Sequence, residues 1–215
     1  MPTDIPSDMP SDIPGRRAPA ATSSRPSSRS RLASVVSDSL GPLPPLAALC
    51  GAGAEGASSP LAGVGWGLLA MFFAAILPYL LTWKIRHPAG GGRPSRRARA
   101  SYMGLAVVTA AFGLAVLHWL RAPGAVISAV IAIVASLAVV AFTNARWGWS
   151  NHLAASAAGV AMLVVLFGPA GLWSAIAIPA VGWARLTLNR HSRSELVLGG
   201  LLGAAISGTV LAVLT

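Results

Sequence analysis

From Leu61 to the end, the chain alternates long apolar runs with short polar breaks, and this alternation limits the possible folds more than any single motif. The runs fall at about 61–83, 102–120, 125–143, 153–168, 171–187 and 196–214. Most are close to the ~20 residues that an α-helix needs to cross ~30 Å of hydrocarbon, while the fourth and fifth are shorter and admit other divisions. No water reaches a backbone inside a bilayer, so each crossing segment must satisfy its own hydrogen bonds, and segments of this length do so as helices. The expected fold class is all-α, a six-transmembrane-helix bundle over residues 59–215. A composition of 54% hydrophobic and 10% charged residues agrees, being too apolar for a water-facing surface.

Residues 1–58 are a different material. "DIPSDMPSDIP" repeats Asp, apolar, Pro, Ser, and "TSSRPSSRSR" and "GPLPPLAALCGAGAEGASSP" follow. Pro, Ser, Gly and isolated charges bury too little apolar surface to offset chain entropy, which predicts a disordered N-terminal tail. The single cysteine, Cys50, excludes an intrachain disulfide and any cysteine-based metal cluster. "PLAALC" puts Leu49 where a lipoprotein cleavage site wants a small residue, so Cys50 is read as incidental.

Six crossings bring the loops 84–101, 144–152 and 188–195 out on one face. They leave the tail, the Arg121 turn, the Gly168–Pro169 turn and the C-terminus on the other. Trp66, Trp119 and Trp173 then mark one interface, and Trp83, Trp147, Trp149 and Trp183 the other. Gly199, Gly203 and Ser207, four apart, form a small-residue stripe suited to close helix packing. Nearly all polar chemistry of the membrane part lies on the three loops. A net charge of +10 points to anionic headgroups or an anionic substrate. Nucleic acid is not an expected partner, because no soluble basic domain remains to hold it. A transporter would carry polar groups at mid-span, whereas these spans hold Ser and Thr, with His118 and Arg121 near helix ends.

Three segments of that face carry candidate chemistry. In "RLTLNRHSRSE", His191 and Glu195 are four apart and share a helix face if the last helix starts nearby. A carboxylate there could hold the imidazole ready as nucleophile or base, or could merely favour the helix dipole. In "WSNHLAASAAG", Ser150 and His152 stand at a helix mouth whose free N–H groups favour an anion, although Ser150 could equally be a simple cap. "KIRHPAGGGRPSRRARAS" reads mainly as a headgroup-facing loop, with one or two guanidinium forks left for a substrate phosphate.

Basic segment, Ser-x-His, then Arg-x5-His-x3-Glu: in this order the segments resemble the type 2 phosphatidic acid phosphatase superfamily. Its pattern is Lys-x6-Arg-Pro, Pro-Ser-Gly-His and Ser-Arg-x5-His-x3-Asp. Ser150 and His152 match the second motif; Arg185 and His191 match the third, with Glu195 for Asp. Arg86, Arg93 and Pro94 fit the first with Arg for Lys, and Arg96, Arg97 and Arg99 offer rival registers. Trp149, Asn151 and Ala184 replace Pro, Gly and Ser; Asn is the mildest exchange because it can reach the left-handed conformation open to Gly.

The resemblance covers about 61–215. It implies a lipid phosphatase acting on a phosphomonoester or diphosphate, with His191 as nucleophile, Glu195 orienting it and His152 as general acid and base. Arg185, Ser150, Asn151, Arg86 and Arg93 would bind phosphate, with no metal or other cofactor. The sequence adds that Glu195 is the only acid after Glu55, too few for a usual Mg²⁺ site. The alternative is an inactive protein of the same fold that binds anionic lipids. The partners are the bilayer and its lipid phosphate, and the location is a plasma membrane of bacterial type. Lys/Arg counting puts the active face in the cytoplasm; the resemblance implies the extracytoplasmic side, which is adopted because arginines recruited for a substrate distort the count.

Overall fold

The structure, a computed structural model, describes residues 27–86, 96–147 and 149–215; side chains at 84–86, 96–97, 99–100 and 144–147 also fall outside the description. The described residues are mostly helical, with no strand among them. The order is α1 (Ser28–Leu40), α2 (Leu43–Gly56), α3 (Pro60–Met71), a π-helical turn (Phe72–Ile76), α4 (Leu77–Arg86), α5 (Arg96–Trp119) and α6 (Gly124–Trp147). Then come α7 (Asn151–Phe167), a 3-10 segment (Gly168–Ile176), α8 (Ala177–Thr187) and α9 (Arg193–Leu214). Among the described residues, six helical stretches are long and apolar enough to cross a membrane: Ser28–Gly56, Pro60–Trp83, Ser101–Trp119, Gly124–Thr143, Asn151–Thr187 and Arg193–Leu214. Leu49, Leu117, Val130, Met162 and Leu211 are buried between them. Leu61, Phe142, Leu201 and Val213 point outward, as lipid-facing residues should.

The six stretches differ from the expected six in two places. Residues 28–56, expected in a disordered tail, form α1 and α2. Composition hid this because "LPPLAALCGAGAEG" is poor in bulky residues, yet bilayer helices pack through small ones. Gly53 lies against the backbone of Gly63. Gly67 lies against Cys50, where an added Cβ would come within 2.8 Å of the sulfur. The prolines sit at the start of α2, where a missing N–H costs nothing.

In the second place, 153–168 and 171–187 belong to one helical stretch, but it doubles back at the expected Gly168–Pro169 turn and keeps them as two arms. Gly168 turns at φ +59, and Gly171 returns against the backbone of Leu163. A left-handed residue is what ends one helix and re-aims the chain.

Neighbours fix the directions. Gly199, Gly203 and Gly208 of α9 face Ser150, Ala154 and Ala161 of α7, so these two helices run parallel. The expected stripe is thus a packing device, completed where the Ser207 hydroxyl donates to the Ala132 carbonyl at 3.4 Å. Gly41, Pro45 and Gly51 face His152, Gly159 and Phe167, so α2 also runs with α7. The chain therefore enters α1 and α2 at the end where α7 and α9 begin, not at the opposite end expected for the tail. Trp119 and Trp173 are exposed at helix ends as expected, but Trp66 packs partly on the core.

Candidate functional site

The site end is built by two helix starts and one helix finish. The Ser150 amide donates to the Glu195 carbonyl at 3.3 Å, tying the mouth of α7 to the first turn of α9. That approach needs Gly199, where a Cβ would stand 2.9 Å from the Ser150 oxygen. His152, in the first turn of α7, and His191, just before the α9 cap Ser192, therefore lie at one end of the bundle.

Arg185 joins them through the end of α8. The Arg190 amide donates to the Arg185 carbonyl at 3.2 Å and the Asn189 amide to the Leu186 carbonyl at 3.0 Å, with Asn189 at φ +49. This paired closure with a left-handed residue is a Schellman end. It returns the chain onto the turn it has just left, so His191, six residues beyond Arg185, begins beside it. Arg185 itself is 3% exposed, and its Nε has no hydrogen-bond partner among the described residues. The charges that act on it are Arg190 and Asp38. Asp38 belongs to the segment expected in the tail; a lone acid in a Ser-rich stretch gave no signal of this placement.

His191 Nδ1 stands 3.6 Å from Glu195 Oε2, a charge-range contact longer than a hydrogen bond. The same oxygen accepts from the Ser192 amide at 2.8 Å, and the Ser192 hydroxyl accepts from the Glu195 amide at 3.3 Å. One carboxylate thus serves a capping box and faces the imidazole. His152 is half-buried, and a Cβ added at Gly41 would lie 3.1 Å from its Nδ1, so the break between α1 and α2 leaves room for the ring.

Other expected phosphate ligands are placed differently. Ser150 is fully buried and caps α7, accepting from the Leu153 amide at 3.5 Å. An N-cap oxygen is claimed by the amides behind it, so this hydroxyl serves the helix rather than an open anion surface. Asn151 is the first residue of α7 and is not among the residues with positive φ, so it does not use the left-handed conformation open to Asn. Its amide donates to Met103 Sδ at 3.7 Å, which brings the α5 end to the site. Arg93 lies outside the described residues; Arg86 ends α4, with its side chain outside the description.

Starting at Asn151, a cavity of about 160 Å³ reaches down between α2, α6, α7 and the π-helical turn, with Pro45, Ala75, Val140 and Ala158 in its wall. Among the described residues, its polar lining is Ser136, Asn151 and Ser207. It is comparable with the ~150 Å³ cavities that admit a benzene-sized apolar guest. Tested against known protein families, characterised proteins and solved structures, the chain matches none.

Proposed function

We propose that this protein is an integral membrane lipid phosphatase, resembling the type 2 phosphatidic acid phosphatases. It would cleave a phosphomonoester or diphosphate from an amphiphilic lipid. The observation that carries this is the Ser150–Glu195 backbone bond. It draws together two helix mouths bearing imidazoles, beside a helix end bearing a buried guanidinium and above an apolar cavity. A phosphate at the end and a hydrocarbon tail in the cavity match that division of polarity.

His191 turns Nδ1 toward Glu195, and Nε2 would be the nitrogen that attacks phosphorus. As the N–P bond forms, the P–O bond to the lipid breaks, and His152 donates a proton to the leaving oxygen. His152 then takes a proton from water, whose oxygen attacks phosphorus and frees His191. Glu195 offsets the positive charge on the imidazole, and Arg185 offsets the charge on the phosphoryl oxygens. These steps use no metal. The face is assigned to the outer side of a plasma membrane.

The test is phosphate release from a lipid phosphate by the purified protein in EDTA. Release should be blocked by vanadate and fall by about 10³-fold or more in a folded His191→Ala variant. Unchanged release in that variant would remove His191 from the chemistry. A second possibility, binding of anionic lipid without turnover, is favoured by the capping roles of Ser150 and Glu195. It would appear as saturable lipid binding with no phosphate released.

A further inference from the structure

Two buried side-chain atoms have no hydrogen-bonding partner among the described residues: Arg185 Nε and Ser37 Oγ. Ser37 is fully buried and Arg185 nearly so. Burying an unpaired donor is costly, and few folded proteins tolerate it without a reason. These two lie on facing helices. α1 packs along α8, Leu40 of α1 and Ile178 of α8 both rest on the cluster of Leu153, Val181 and Leu196, and the charge of Asp38, beside Ser37, acts on Arg185. The buried face of α1 is Ala33 and Ser37; that of α8 runs through Ala177, Val181, Ala184 and Arg185. Ser37 is one turn from Leu40 on α1, and Arg185 is one turn from Val181 on α8.

A hydroxyl and a guanidinium Nε, both buried without a partner among the described residues on two packed helices, suit an acceptor that offers several oxygens at once. A carboxylate has two; a phosphate group has three terminal oxygens and the charge a buried guanidinium lacks. Asp38 does not fill the place: it is exposed and accepts from the Ser34 hydroxyl at 3.2 Å. We propose that Ser37 is a further phosphate-binding residue, donating to the same phosphate group that Arg185 holds, so that α1 forms one wall of the anion pocket. The identity of the anion rests on the lipid phosphatase assignment; the site itself rests on the two unpaired atoms. The recognised chemistry is a dianionic phosphate, whether free or on a lipid.

Full-length protein in detergent is titrated calorimetrically with inorganic phosphate and, separately, with mixed micelles carrying phosphatidate. The wild type should bind both. Ser37→Ala should weaken both by about tenfold, the effect of one hydrogen bond, and Arg185→Gln by more. Ser37→Ala without ligand should melt no lower than wild type, since it loses only an unpaired hydroxyl. Ser37→Thr, which keeps the donor, should bind like wild type. Equal affinity in Ser37→Ala, or equal losses in the Ala and Thr variants, would overturn the proposal, and so would a loss confined to phosphatidate. If Arg185→Gln alone loses binding, the Ser37 assignment falls while the phosphatase assignment survives; if the wild type binds neither ligand, both fall.

Discussion

Glu195 concentrates the competing demands on this site in a single oxygen. Its Oε2 accepts from the Ser192 amide and faces His191, so removing the side chain would disturb helix and imidazole together. Glu195→Gln separates the two roles. Gln completes a capping box as Glu does, so the helix should keep its start and stability should change by less than about 0.5 kcal/mol in chemical unfolding. The charge that balances an imidazolium is gone, and turnover should fall roughly a hundredfold or more. Equal turnover in Glu195→Gln would leave the carboxylate a cap and nothing else. At this scale the sequence was informative where spacing is local. The four-residue step from His191 to Glu195 requires only one helix turn, or its approach. It was silent on Asp38 and Gly41, whose neighbours Arg185 and His152 are more than a hundred residues away along the chain.

The end of α8 explains why five residues separate Arg185 from His191. The helix must stop, reverse and release His191 next to the turn that carries Arg185, and the Schellman closure does this within that count. Its one conformational demand is the left-handed Asn189. Asn189→Gly should therefore be nearly neutral, whereas Asn189→Val should cost about 1–2 kcal/mol and lower kcat more than it raises KM, because the two groups lose register. Circular dichroism melts and steady-state assays of the two variants check this; a Val variant with unchanged kcat would show that register is set elsewhere. Element boundaries from Leu61 onward were legible because apolar runs and Gly–Pro breaks mark them locally. α1 and α2 were not. Their small residues are unremarkable until a second helix lies within reach, and only then does Gly53 against Gly63 become a close crossing.

At the scale of the molecule, adding α1 and α2 moves the N-terminal end to the site side. Impermeant maleimide on intact cells, in a Cys50→Ala background, should label Ser28→Cys and Ser194→Cys and leave Thr215→Cys unlabelled. Labelling of Ser28→Cys together with Thr215→Cys would contradict the course of α1 and α2. Labelling of Thr215→Cys alone would turn the site toward the cytoplasm. The sequence by itself determined that the chain is an all-helical membrane protein with His152 and His191 near helix starts, because apolarity, run length and short spacings are properties of consecutive residues. Tertiary structure alone decided that α2 and α9 lie beside α7, that Ser150 turns inward as a cap, and that Arg185 Nε and Ser37 Oγ are buried with no hydrogen-bond partner among the described residues. Burial and the loss of a hydrogen-bonding partner depend on what the rest of the chain brings alongside.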